Sequence, residues 1–155
     1  MSDEEGNGDQ RPIKPGELIF VYGTLRKGER AARMLEGDAE YLGKDRINGN
    51  MYHLGAYPGF KDPALDDKGG PLQFDPNKPS ILGEVHYVRT HALTAVLDAY
   101  EGFPYLYTRC VVLTARERPV WVYVYYNPVT QDQLIETGDW KNPRMSIDHS
   151  MKRRI

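Results

Sequence analysis

Cysteine is almost absent from this sequence of 155 residues, and so are long apolar runs and an excess of either charge. The single cysteine, Cys110, excludes an intrachain disulfide and fits a reducing compartment. Its place in the apolar run YTRCVVLT predicts a buried side chain and not a nucleophile. No apolar stretch approaches the length of a membrane span, and the polar N-terminus has no signal-peptide core. A net charge of −2 gives no general attraction to nucleic acid or membranes, so we expect a cytoplasmic protein without either partner.

The sequence also lacks a recognisable metal-binding pattern. His53, His86, His91 and His149 do not have the spacing of metal ligands, and one cysteine adds no second thiolate. We therefore expect neither a metal nor a cofactor.

The chain is long enough for one domain with a sizeable core. Residues 1–16 are polar and acidic, which is typical of a disordered tail. Residues 143–155 end in the basic KRRI and are expected to form a solvated C-terminal tail. The folded domain is thereby predicted over residues 17–142.

The domain alternates strand-like and helix-like segments. The predicted elements are a buried strand LIFVY, a short helix in ERAARMLEG, a hairpin turning at Asn48-Gly49, a strand ILGEVHYV, a helix HALTAVLDAYE capped by Thr90, and a second hairpin built from YLYTRCVVLTA and PVWVYVYYN. This order predicts an α+β fold with a mostly antiparallel sheet, which could close into a barrel.

The segment 56–80 interrupts this pattern with many Pro, Gly and Asp residues. Irregular connections of this length are usually either covers over a functional site or partly disordered loops, and both interpretations stay open.

The predicted helix after Thr90 carries one apolar stripe, formed by Leu93, Val96, Leu97 and Tyr100, and it stops at Gly102. Two acids nevertheless occupy its last turn, where the helix dipole disfavours negative charge. On a helical wheel Glu101 lies at the margin of the stripe, whereas Asp98 points further toward solvent. A carboxylate in that position should have a raised pKa, as a general base near neutral pH requires. The alternative is that Glu101 pairs with Arg109 or another cation and only anchors the helix end.

A second unusual stretch is VYGTLRKGE, in which a buried strand breaks at Gly23 and the following turn closes at Gly28. Such a turn can expose successive backbone N–H groups as an anion-binding concavity. The spacing fits neither a P-loop nor a dinucleotide-binding loop, and an ordinary turn would look similar. Arg26 and Lys27 could attract anions, although solvation at the surface is the simpler expectation.

Together these stretches resemble the gamma-glutamylcyclotransferase-like superfamily, in particular its small YtfP-like and gamma-glutamylamine cyclotransferase branch. The resemblance rests on VYGTLRKGE, ILGEVHYV, LDAYEG followed by YTR, WVYVY and a closing GDW, over residues 18–140. It implies a small β-barrel with flanking helices, which agrees with the α+β class predicted from the order of elements.

The resemblance also implies an activity and a set of site residues. In the family, a loop corresponding to Tyr22, Gly23, Thr24 and Leu25 binds the gamma-glutamyl group, and the glutamate corresponding to Glu101 is the general acid/base. The expected reaction is cofactor-independent cyclisation of a gamma-glutamyl amine or related compound to 5-oxoproline, with release of the amine. The alternatives are a non-catalytic small-ligand or protein-binding module and, less strongly, a transferase or amide hydrolase.

Three further positions complete the prediction. Tyr123 and Tyr125 lie on one face of a strand, and a hydroxyl from this region, with Tyr125 as the candidate, could touch the substrate. The alternative, which the pattern favours, is an aromatic side chain packed inside the barrel. Asp139 and Trp140 match the closing motif and are interpreted as structural, with Trp140 covering an end of the barrel.

Overall fold

The computed structural model describes residues 10–143. The elements in chain order are β1 (Leu18–Val21), a 3-10 turn (Ala32–Leu35), β2 (Ala39–Asn48), β3 (Asn50–His53), β4 (Pro58–Lys61), β5 (Ser80–Val88), α1 (Ala92–Glu101), β6 (Tyr107–Leu113), β7 (Pro119–Tyr125) and a second 3-10 turn (Gln131–Gln133). No helix within this range is long and apolar enough to cross a membrane.

Five strands form one sheet in the order β2-β5-β1-β7-β6, and β3 pairs with β4 in a separate two-stranded sheet. All these pairs are antiparallel except β1 with β7, so the α+β class with a mostly antiparallel sheet is confirmed. The closed barrel is not: among the described strands, edges β2 and β6 do not pair. The gap between them is bridged near one end by the Ala115 N–H bonding the Arg46 carbonyl, at 2.9 Å. At the same end, Arg118 Nη2 lies 2.8 Å from Asp45 Oδ2.

The large sheet is buried on both faces because helix α1 covers one side and the small sheet the other. Strand β1 and the residue after it show this by alternation: Phe20 and Tyr22 join one apolar cluster, and Ile19 and Val21 join the second. The prediction of a buried strand here is correct, since three of the four β1 residues are buried. Cys110 is also buried, as expected.

The N-terminal boundary of the domain lies earlier than the predicted residue 17. Ile13 is 2% exposed and belongs to the cluster that contains α1. The Thr94 hydroxyl donates to the Ile13 carbonyl at 2.7 Å, and the Gly16 N–H donates to Val88 at 2.8 Å. Residues 10–16 therefore pack as part of the fold, while residues 1–9 and the basic KRRI terminus lie outside the described range.

Two local predictions around β2 are wrong. The segment ERAARMLEG forms only a 3-10 turn, because the Ala31 N–H bonds back to the Thr24 carbonyl at 2.9 Å instead of starting a helix. Asn48-Gly49 does not close a hairpin between β2 and β3, which belong to different sheets. The Asn48 side chain instead donates to the Asp75 carbonyl and accepts from the Asp75 N–H, so it fastens the following long segment.

The segment 56–80 contains strand β4 and a short bridge between Leu65 and Pro71.

The capping prediction for α1 is wrong, because the Thr90 hydroxyl donates to Asp38 at 2.8 Å and His91 occupies the N-cap. The predicted stop at Gly102 is correct: this residue has a left-handed conformation, with φ of 68°.

Candidate active site

A cavity of about 220 Å³ opens where the end of β1, the end of α1 and the start of β4 meet. Its lining consists of Phe20, Val21, Tyr22, Gly23, Thr24, Leu25, Arg30, Tyr57, Pro58, Tyr100, Glu101, Leu106, Tyr107 and Tyr123. The cavity is smaller than drug-binding pockets, which have volumes of about 300–1,000 Å³, and suits a small metabolite. Glu101 and the predicted loop, 22–25, thus share one cavity although 76 positions separate Leu25 from Glu101 in the sequence.

Glu101 is partly buried at the C-terminal end of α1. Burial raises its pKa from an ordinary 4.5 to about 7. Within the described residues no hydrogen bond or ion pair engages its carboxylate. The alternative pairing with Arg109 does not occur, because Arg109 Nε and Nη2 bind Asp98 at 2.9 and 3.0 Å. Asp98 therefore anchors the helix end, which corrects the expectation that it points to solvent.

The loop after β1 lines the cavity with residues whose backbone N–H groups have no acceptor in the described part of the chain. Across residues 10–143, no hydrogen bond uses the N–H of Gly23, Thr24 or Leu25. Consecutive unpaired N–H groups at a bend form an anion-binding concavity. Gly23 is required there because a Cβ atom would lie 2.6 Å from Cγ of Pro58.

Buried charges hold the far end of this loop in place. Arg26 is 1% exposed, with Nε 3.3 Å from Glu84 and Nη1 2.8 Å from Asp139. A Glu84 oxygen also accepts the Lys27 N–H at 2.8 Å. The expectation of a solvated Arg26 is wrong, whereas Lys27 is exposed and lies over the Tyr41 ring. The Arg26–Glu84–Asp139 cluster gives Asp139 a structural contact, in line with its interpretation from sequence.

Most tyrosine hydroxyls around the cavity are committed to protein acceptors. Tyr22 donates to the Tyr123 carbonyl at 2.8 Å, Tyr107 donates to the Pro58 carbonyl at 2.7 Å, and Tyr123 donates to Asp98. Burial raises the pKa of all three tyrosines far above its ordinary value. These hydroxyls are unsuited to proton transfer near neutral pH.

Tyr125 does not line the cavity, contrary to its selection as a substrate-binding residue. Its ring packs edge-on against Tyr107, at 5.3 Å between centroids, and Tyr107 takes the place on the cavity wall. Tyr125 also lies against Gly59, so strand β4 fills the space beside it. The Trp140 and His53 rings lie 5.0 Å apart with a tilt of 45°, and neither residue lines the cavity.

Sequence reasoning missed several lining residues. Tyr100 was assigned to the apolar stripe of α1, yet it is 38% exposed and its hydroxyl meets Thr24. Its position directly before Glu101 was the available signal. Tyr57 and Pro58 come from the irregular segment and carry no pattern that would reveal them. One interpretation of segment 56–80 is a cover over the site. From this segment, Tyr57 and Pro58 are the residues that line the cavity.

The described residues contain no group of three or more His, Cys, Asp or Glu side chains that could hold a metal. The charged side chains of the lining are Glu101 and Arg30, and Arg30 is exposed at the cavity. The chemistry available is therefore anion binding by the loop and proton transfer by one carboxylate.

Comparison with known proteins identifies a family and relatives that are similar to this chain in sequence. Residues 19–142 match the model of the family described as gamma-glutamyl cyclotransferase, AIG2-like. The Escherichia coli (strain K12) protein named gamma-glutamylcyclotransferase family protein YtfP is 34% identical over 123 residues, covering 79% of this chain and 94% of YtfP.

Solved structures share the fold. The solution structure of YtfP from Escherichia coli aligns with a TM-score of 0.55 at 33% identity, covering 79% of this chain and 95% of that chain. An AIG2-like protein from Mus musculus aligns with a TM-score of 0.57 at 21% identity, covering 84% and 98%. At that identity the mouse structure supports the fold alone.

Proposed function

Because this chain belongs to the gamma-glutamyl cyclotransferase, AIG2-like family, we propose that it cyclises a gamma-glutamyl amine or related compound to 5-oxoproline and releases the amine. The observation that carries the proposal is the cavity in which Glu101 faces the loop 22–25. A carboxylate that has no counter-ion within residues 10–143, with a pKa of about 7, matches the requirement for a general base at neutral pH.

The loop would hold the α-carboxylate of the substrate. The unused N–H groups of Gly23, Thr24 and Leu25 offer donors without adding a formal charge. Arg30 at the cavity would favour the entry of an anionic molecule. Binding in this way leaves the α-amino group and the γ-carbonyl of one flexible chain free to approach each other.

The reaction needs proton transfer and no covalent enzyme intermediate. Glu101 takes one proton from the α-ammonium group, and the amine lone pair then forms the C–N bond as the carbonyl π electrons move to oxygen. The ring nitrogen gives up a second proton, the C=O bond re-forms, and the bond to the leaving nitrogen breaks. The leaving nitrogen gains both protons and departs as an ammonium ion, which restores the Glu101 carboxylate. Because both reacting groups belong to one molecule, a folded bound conformation supplies much of the rate enhancement.

The tyrosines support the assignment of the base to Glu101. The hydroxyl protons of Tyr22, Tyr107 and Tyr123 already bond to protein acceptors. Glu101, in contrast, has a pKa of about 7 and can exchange a proton at neutral pH.

The test is release of 5-oxoproline from a panel of gamma-glutamyl amines, gamma-glutamyl dipeptides and glutathione. Wild type should release it, Glu101→Gln should not, and the exposed control Glu36→Gln should match wild type. The preferred compound would identify the leaving group. Glutamate or a new gamma-glutamyl product in place of 5-oxoproline would favour a hydrolase or transferase. Ligand binding that survives Glu101→Gln, without turnover by wild type, would favour the binding module.

A further inference from the structure

Thr24 and Tyr100 form a hydroxyl pair at the cavity. Their side-chain oxygens lie 2.6 Å apart, and either hydroxyl can be the donor. Thr24 is 7% exposed on the loop after β1, whereas Tyr100 directly precedes Glu101 on α1. The pair therefore joins the proposed anion-binding loop to the helix end that carries the proposed base.

Counting protons distinguishes this pair from the hydroxyls of Tyr22, Tyr107 and Tyr123. Two hydroxyl groups bring two protons, but the bond between them uses only one. Neither oxygen has another hydrogen-bond partner in the part of the chain that the structure describes. Whichever hydroxyl accepts the shared bond keeps its own proton for a ligand. Tyr22, Tyr107 and Tyr123, in contrast, donate to acceptors in the protein.

The reaction proposed above creates a need for such a donor. When the amine attacks the γ-carbonyl, the carbonyl π electrons collect on oxygen, and an oxyanion requires a hydrogen-bond donor beside it. The loop N–H groups are assigned to the α-carboxylate, and Glu101 exchanges the amine proton. The cavity therefore needs an uncommitted O–H near these two groups, and the Thr24–Tyr100 pair joins the loop to the residue beside Glu101 on the same cavity.

We propose that the Thr24–Tyr100 hydroxyl pair donates one hydrogen bond to the oxyanion formed at the γ-carbonyl. This inference rests on the proposed cyclotransferase function. No proton is transferred in this contact: the O–H bond stays intact, and the hydrogen bond shortens as charge develops on the carbonyl oxygen. The two hydroxyls are interchangeable, because loss of one leaves the other free to direct its proton into the cavity.

The experiment is a double-mutant cycle with Thr24→Val, Tyr100→Phe and the double variant, assayed for 5-oxoproline release. Each single variant keeps one hydroxyl, so kcat should fall by less than about tenfold. The double variant should lose about 10²- to 10³-fold in kcat, the range seen when an oxyanion donor is removed, with KM changed by less than about threefold. Binding of 5-oxoproline should be nearly unchanged, because the neutral amide of the product has no oxyanion. Tyr105→Phe, on a side chain that is 84% exposed, is the matched control and should equal wild type.

A purely structural latch predicts a different cycle. Each single variant would already break the shared bond, so the kcat of the double variant would be no lower than that of the less active single variant. The binding of 5-oxoproline would weaken together with kcat. If wild type is active, a double variant no less active than the single variants, or weakened binding of 5-oxoproline, overturns the inference and leaves the proposed cyclotransferase function standing. Absence of 5-oxoproline from wild type itself would instead remove the proposed function.

Discussion

Replacing Glu101 with glutamine should stabilise this protein at alkaline pH and not at acidic pH. The carboxyl has a folded pKa of about 7 against an ordinary value of 4.5 because burial disfavours its charge. Below pH 4.5 the group is neutral in both states and contributes nothing. Between pH 4.5 and 7 the unfolded chain ionises first, so the folded state loses stability, and above pH 7 the loss is constant.

The magnitude follows from that difference of about 2.5 pH units. At about 1.4 kcal/mol per unit, the cost of the charged form reaches about 3 kcal/mol, an upper figure for a partly exposed side chain. Glu101→Gln should therefore gain up to about 3 kcal/mol in unfolding free energy at pH 8 and almost nothing at pH 4. Urea denaturation at both pH values measures this gain. Glu36→Gln, at an exposed carboxylate, controls for the general loss of one charge.

Two results would refute this reasoning. An equal gain at pH 4 and pH 8 would show that the shape of the glutamine side chain matters and the charge does not. A loss of stability at pH 8 would show that an unrecognised partner stabilises the Glu101 carboxylate. In the second case the group would be an anchor and would no longer qualify as a base poised near neutral pH.

Three more outcomes are expected. The kcat/KM of the proposed reaction should rise about tenfold per pH unit up to about pH 7, because Glu101 must be ionised to accept a proton, and a flat profile contradicts this. Tyr123→Phe should keep kcat within about threefold, since the Tyr123 hydroxyl is committed to Asp98; a hundredfold loss would make this hydroxyl catalytic. Glu84→Gln should lower the unfolding free energy by about 3 kcal/mol in chemical denaturation, because it removes a counter-charge from buried Arg26; a change below about 0.5 kcal/mol contradicts the buried pairing.

The sequence was sufficient to predict features that depend on a local signal. It was also sufficient where the family pattern identifies which distant segment contacts a residue. The end of α1 at Gly102 could be predicted because glycine readily adopts the left-handed conformation found there. The burial of β1 could be predicted because LIFV contains no polar residue. The convergence of Glu101 with the loop 22–25 came from the resemblance, since no periodicity relates segments so far apart.

The remainder was unpredictable because it depends on contacts between distant segments. Arg26 looks like a surface cation until β5 brings Glu84 against it. Asn48-Gly49 has the composition of a hairpin turn, but the Asn48 side chain finds partners near residue 75. Tyr125 and Tyr107 face each other across two strands, and only the registered pairing shows that Tyr107 forms the cavity wall.

The Arg26–Glu84–Asp139 cluster makes the loop after β1 depend on the far end of the polypeptide. Residues 22–25 are synthesised early, yet the counter-ions of Arg26 arrive 58 and 113 positions later. During translation the loop can acquire its neighbours only after almost the whole domain has left the ribosome. A chain cut before Asp139 would retain every residue that lines the cavity and still leave the Arg26 guanidinium with one of its two carboxylates. A short C-terminal truncation should therefore damage a site to which it contributes no lining side chain.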